Sequence, residues 1–333
     1  MPVMASAFAT WNFPRETDHM KRRHFLQHSL AAGTAVYGAV QSLGASAQDA
    51  ANDSKHRSTT PTTDAWLWTT LKIGMVREGE TLAEKFQVAT DAGFLGVELM
   101  TTNINAEEAI AAAEQTGLII DGTVGGYHWR TRHTDPDPDV RAEALSLLRD
   151  GIRKTAAVGA DTMLLVPGRG TDGAPDVVMD RAVAAVEAAL PEAERSGVKI
   201  LIENVWNQFL YEHDGPDDQT ADAMAAFVDR FDSPLVGMQF DIGNHWKYGQ
   251  PGDWIRTLGH RVMKLDIKGF SRSDDKFTAI TEGDLPWDDV RAALREIGYS
   301  GWLAAEVGGG DLQHLKTVRQ QMETALHCNE PKA

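Results

Sequence analysis

Leu235-Val236-Gly237-Met238-Gln239-Phe240-Asp241, followed by Ile242-Gly243-Asn244, is the stretch on which the fold of this chain turns. An apolar run of strand-forming residues ends on a carboxylate, and glycine, asparagine and a helical pattern come next. The same order recurs in Val198-Lys199-Ile200-Leu201-Ile202-Glu203, in Arg261-Val262-Met263-Lys264-Leu265-Asp266 and in Gly301-Trp302-Leu303-Ala304-Ala305-Glu306. Each is one strand–helix unit that delivers an acid at the C-terminal end of its strand. Four such units bring Glu203, Asp241, Asp266 and Glu306 to one rim of a parallel barrel. Carboxylates that crowded repel one another, so a positive partner is expected among them, and a divalent metal ion is the simplest.

Outward from these units, the chain alternates strand and helix eight times from Leu71 onward. The pattern predicts strands over 71–76, 96–99, 118–124, 162–166, 198–203, 235–241, 261–267 and 302–307. Helices are predicted over 81–92, 106–116, 140–158, 176–195, 220–230, 251–258, 287–297 and 312–327. Gly93, Gly117, Gly159, Gly197 and Gly298 stand where helices stop in the left-handed conformation. Strict alternation implies a parallel sheet, and eight units close an α/β (β/α)8 barrel, a TIM barrel, as a single domain. An open doubly wound sheet would call for a glycine-rich phosphate loop after the first strand, which Gly74-Met75-Val76-Arg77 does not supply.

The 333 residues are 42% hydrophobic, enough for a large core, and carry a formal net charge of −16. A surface that acidic disfavours nucleic acid and anionic lipid as partners. The one cysteine, Cys328, excludes an intramolecular disulfide and a cysteine-based zinc site. Residues 1–47 read as an N-terminal extension with a twin-arginine-type export signal. Lys21-Arg22-Arg23-His24-Phe25-Leu26 is followed by a moderately apolar stretch from Ser29 to Leu43, then by the small-x-small site Ala45-Ser46-Ala47. That stretch is too short for a membrane span. Met20 is a second candidate start. Export to the periplasm as a folded protein is the expectation. Residues 48–64 read as a flexible linker and 65–333 as the barrel. Oligomeric state stays open, a homo-oligomer included.

An all-oxygen set of Glu203, Asp241, Asp266 and Glu306 favours one Mn²⁺ or Mg²⁺ ion over Zn²⁺. His245, four residues past Asp241, is a further candidate. Lys264 and Lys268 flank Asp266, and strand alternation aims them to its side. Lys268 is therefore also a candidate ion-pair partner of the cluster.

These residues resemble the sugar isomerase/epimerase family with a xylose isomerase-like barrel, from about Leu71 to the C-terminus. The motifs that carry the resemblance are Ile202-Glu203-Asn204, Phe240-Asp241-Ile242-Gly243-Asn244, Asp266-Ile267-Lys268, Thr281-Glu282-Gly283-Asp284, Ile297-Gly298-Tyr299-Ser300-Gly301-Trp302 and Ala305-Glu306-Val307. Val166-Pro167-Gly168 looks like the family's fourth strand end. The resemblance implies that Glu203, Asp241 and Glu306 hold a divalent metal, with Asp266 where the family carries histidine. The family's His-Leu-Lys-Asp stands here as Asp266-Ile267-Lys268-Gly269, and Asn244 replaces a histidine common in its epimerases.

Sugar isomerisation or epimerisation removes a proton next to a carbonyl, and a metal ion stabilises the enediolate that forms. Glu203 and Glu306 are by resemblance the two catalytic carboxylates. Glu98, His128, Asn204, Trp206, His245 and Lys268 are expected around a small carbohydrate substrate. The same apparatus serves a lyase or dehydratase acting on a keto-sugar. A non-catalytic sugar-binding barrel would need the aromatics and not both glutamates. The abasic-site endonuclease of related fold has many histidines and a basic groove, which this acidic chain does not match.

Overall fold

The structure, a computed structural model, describes residues 58–331. The expected export signal and most of the expected linker lie outside them. Eight parallel strands close a barrel: β1 Leu67–Lys72, β2 Gly96–Met100, β3 Ile119–Val124, β4 Thr162–Leu165, β5 Lys199–Glu203, β6 Val236–Asp241, β7 Val262–Ile267 and β10 Gly301–Ala305. Among the described residues eight helices surround it: α1 Leu82–Asp91, α2 Ala106–Thr116, α3 Pro138–Ala157, α4 Pro175–Ser196, α5 Asp222–Asp229, α6 Pro251–Leu258, α7 Trp287–Glu296 and α8 Leu312–Leu326. The predicted TIM barrel is the observed fold. No helix among the described residues is long and apolar enough to cross a membrane.

Local chemistry explains the helix ends. Thr81 and Glu84 form a reciprocal capping box at the start of α1, and the Asn105 and Asp311 side chains accept from backbone amides at the starts of α2 and α8. Pro138, Pro175 and Pro251 each open a helix, where a missing amide proton costs nothing. Between barrel and helices lies one continuous apolar core, with residues such as Phe86, Ile152, Val186, Phe227 and Leu294 essentially sealed from solvent.

Two departures from the sequence reading matter for the site. The first strand runs over Leu67–Lys72, not 71–76, and Ile73–Met75 form a 3-10 turn beyond it. Lys72 therefore becomes the last residue of a barrel strand. Beyond β7 the chain makes an antiparallel hairpin, β8 Gly269–Ser271 with β9 Lys276–Thr278, where no strand was expected.

Register sets the height of each acid. Asp241 pairs directly with Asp266, Glu203 pairs with Gln239, and Ala304 pairs with Asp266, so Glu306 stands just above Ile267. The ladder shifts by one residue at Val97/Glu98, where it skips Asp121, and at Met238/Gln239, where it skips Met263. Bulges re-aim side chains, and both fall on strands that send charge into the barrel.

Candidate active site

The carboxylates of Glu203, Asp241, Asp266 and Glu306 converge at the C-terminal mouth, with one oxygen from each within 4.8 Å of the others. Glu203, Asp241 and Asp266 are buried, whereas the Glu306 side chain keeps 34% exposure and opens the group to solvent. Below them the barrel interior is not the apolar packing common to this architecture. Lys72 Nζ lies 2.7 Å from Glu98 and 3.1 Å from both Asp266 oxygens. Lys264 lies 2.6 Å from Glu98 and bonds Asp121, which also accepts from Thr70 at 2.5 Å. Gln239 donates to Glu98 and to Asp266, each at 2.9 Å. Gly122 leaves room for this layer, since a Cβ there would lie 2.7 Å from Lys264 Nζ.

Above that floor, Lys268 Nζ sits 2.8 Å from Asp241 and 2.7 Å from Glu306. Six carboxylates thus face three lysines in one buried column. The negative excess is reflected in the acids themselves. Burial, then Glu306 and Asp266, raise Glu203 well above the usual carboxylate range. Burial lifts Asp241 to about 6 and Asp266 to about 8 against the pull of their lysines. For Glu98 the reverse holds: Lys264 and Lys72 outweigh burial and hold it down at about 2. Lys268 and Lys72 likewise outweigh burial and keep Glu306 low.

The donor set fits a hard divalent cation. Glu203 is nine-tenths buried and makes no hydrogen bond or ion pair. Asp241 Oδ2 and Glu306 Oε2 have only Lys268 against them, a single cation shared between two acids. Three acids therefore present underused oxygens to one point, which is what an oxygen-ligated ion requires. Asp266 contributes less freely, because Lys72 engages both of its oxygens and Gln239 one of them.

Several side chains expected to meet substrate are committed elsewhere. Glu98 is not at the mouth: Lys72, Lys264 and Gln239 hold it in the floor, sealed from solvent. Asn204 is spent on the backbone, accepting from the Asp241 amide at 2.7 Å and donating to the Asp241 carbonyl at 2.8 Å. That contact fixes the orientation of its amide, so Asn204 Nδ2 donates to His245 Nδ1 at 3.0 Å. His245 stands among Tyr211, Tyr248 and Trp254, outside the carboxylate group, and burial holds it neutral at about 3. It steadies Asn204, and Asn204 steadies Asp241.

Trp206 is part-buried, donates to the Asn244 carbonyl, and packs against Phe270 and Phe277 of the hairpin. His128 remains the best placed of the expected substrate groups. The Val166 amide faces its Nδ1 at 3.4 Å, which leaves the ring proton on Nε2, a buried donor with no partner. Burial, His133 and Lys72 hold it neutral, at about 3. Lys72, Asp121 and Gln239 went unnoticed in the sequence. The signal for Lys72 was a lysine ending the Leu67-Trp68-Thr69-Thr70-Leu71 run, legible only once that run is taken as the strand.

Residues 86–326 match the model of the xylose isomerase-like TIM barrel family, and the chain belongs to that family. An uncharacterised protein of Methanocaldococcus jannaschii is 25% identical over 177 residues, which cover 50% of this chain and 57% of that protein. The chain thus spans little more than half the length of that relative. Among solved structures, a xylose isomerase domain protein from Planctomyces limnophilus superposes with a TM-score of 0.61 at 17% identity, covering 80% of this chain and all of the other. A D-psicose 3-epimerase from Clostridium cellulolyticum H10, solved with D-tagatose, gives 0.62 at 18%, covering 79% and 99%. A 3-keto-D-glucoside 4-epimerase from E. coli gives 0.63 at 16%, covering 78% and 99%. At such identities the likeness is one of fold.

Proposed function

We propose that this chain is a metal-dependent sugar isomerase or epimerase that moves a proton next to a carbonyl. The observation that carries the reading is the unpartnered, buried Glu203 facing Glu306 across a group of four carboxylates at the barrel mouth. Family membership and the epimerases of like fold support it. One Mn²⁺ or Mg²⁺, held by Glu203, Asp241 and Glu306 with Asp266 beside them, would supply Lewis-acid stabilisation of the charge that develops on the substrate oxygens. Glu203 and Glu306 take the proton from carbon and return it. His128 donates from Nε2 to a substrate oxygen, and its neutrality keeps that proton in place at physiological pH. Trp206 and Phe277 offer an aromatic wall to the C–H face of a sugar.

The test is solvent exchange. Metal-loaded protein incubated in D₂O with a panel of ketoses and keto-glycosides should place deuterium at the carbon next to the carbonyl. A panel that stays unlabelled, with metal demonstrably bound, ends the proton-transfer reading. We further propose that the chain is exported to the periplasm through the basic pair in residues 21–26. Cell fractionation of the wild type and of an Arg22→Lys/Arg23→Lys double variant checks this: periplasmic protein in the first, retained precursor in the second.

A further inference from the structure

The three lysines of the barrel column are not held alike. Lys72 and Lys264 are sealed, with side chains 5% and 1% exposed, and each makes aligned hydrogen bonds to carboxylates. Lys268 is 13% exposed and bridges Asp241 at 2.8 Å and Glu306 at 2.7 Å at the open end of the column. It also donates to Asn244 Oδ1 at 3.1 Å, and its ammonium lies 5.2 Å from the centre of the Phe277 ring, on the hairpin side. The stem of Lys268 runs against Gly243, where a Cβ would come within 2.5 Å of Lys268 Cγ. The backbone there leaves the long side chain a lane alongside the site.

An oxygen-ligated divalent ion sits about 2.1 Å from its ligands. An ion on Asp241 Oδ2 and Glu306 Oε2 would claim the space the ammonium fills, and two cations that close repel strongly. We infer that Lys268 is a built-in counter-ion: it neutralises Asp241 and Glu306 while the site lacks metal, and yields to the divalent ion by drawing back from both acids while keeping its contacts with Asn244 and Phe277. The inference rests on the metal-dependent reading above. It explains why the two lysines that hold the floor are locked and the one at the mouth is not. An internal cation keeps the carboxylates gathered before metal arrives, and sets the metal affinity by having to be displaced.

Two measurements test it. Calorimetric titration of Mn²⁺ into wild type, Lys268→Met, Lys268→Gln and Glu203→Gln should show binding at least tenfold tighter in the two Lys268 variants and lost in Glu203→Gln. In the unaltered protein, acetylation by a water-soluble N-hydroxysuccinimide ester, read by mass spectrometry, should reach Lys268 faster with Mn²⁺ bound than without. Mn²⁺ affinity that is equal or weaker in a folded Lys268 variant, or Lys268 labelling that does not rise with Mn²⁺, overturns the inference while the metal site stands. Absence of Mn²⁺ and Mg²⁺ binding in wild type and variants alike overturns the metal-dependent reading, and the inference with it.

Discussion

Glu203 and Glu306 differ in what surrounds them. The carboxylate of the first is buried and has no hydrogen-bond or ion-pair partner, and the second is paired with Lys268 and open to solvent. Replacing either by glutamine keeps the shape and removes the proton acceptor. Glu203→Gln and Glu306→Gln should each lower kcat by about 10²–10⁴-fold. Steady-state kinetics with a folded-state check by circular dichroism decides it, and undiminished turnover in both would remove them from the chemistry. His128 carries a second expectation at this scale. Its pKa lies at about 3, so its ring stays neutral throughout the physiological range. A histidine-labelled NMR titration from pH 5 to 8 should show flat ring shifts for His128. Asn204 and His245 show the limit of motif reading. Both lie beside the right acids, yet their polar atoms serve to orient Asp241.

At the scale of the element, β1 is the strand whose placement changes the account. Leu71-Lys72-Ile73-Gly74-Met75-Val76 is more apolar than Leu67-Trp68-Thr69-Thr70, so a reading by apolar runs starts the strand late. Thr70 faces a polar barrel interior, where it bonds Asp121, and this makes an interior strand look half-polar. Lys72 follows from that shift. Lys72→Met would leave buried Asp266 without its cation and Glu98 with Lys264 alone, a loss of about 3–5 kcal/mol. Urea unfolding of the metal-free protein measures it, and a loss under about 1 kcal/mol would show the floor to be dispensable. The β8–β9 hairpin escaped notice for another reason. Two three-residue strands separated by Arg272-Ser273-Asp274-Asp275 lack both length and a clear period.

For the whole molecule, the crowded column makes stability depend on pH and on metal. Asp266 titrates at about 8 and Asp241 at about 6 in the fold, both above their unfolded values near 3.8. The folded state therefore binds more protons between these limits, and its stability falls as pH rises through them. In metal-free protein this contribution is full below pH about 4, falls most steeply from about 4 to 6, where the fold keeps both carboxyls protonated, falls more gently to about 8, and is then gone. Asp266→Asn removes the larger part, so its stability relative to wild type should increase from pH 4 to pH 8 in chemical denaturation. A constant difference would contradict the burial of that carboxyl. A divalent ion bound by the folded state alone should raise stability by about 2.7 kcal/mol at a hundred times its dissociation constant. Thermal unfolding with and without Mn²⁺ reads this, and an unchanged midpoint at saturating Mn²⁺ would count against the site.

The strand-then-acid order of Glu203, Asp241, Asp266 and Glu306 determined the barrel and the rim on which the acids gather, because period, alternation and chain order are local properties of a sequence. Register decided the rest. Whether Asp266 faces a metal ion or Lys72, whether Glu98 meets a sugar or lies in the floor, and whether Lys268 stands among the ligands all depend on strands far apart in the chain. Ion pairs between residues 72 and 266 or 121 and 264 form only when the closed sheet sets their heights, and no local pattern encodes a height.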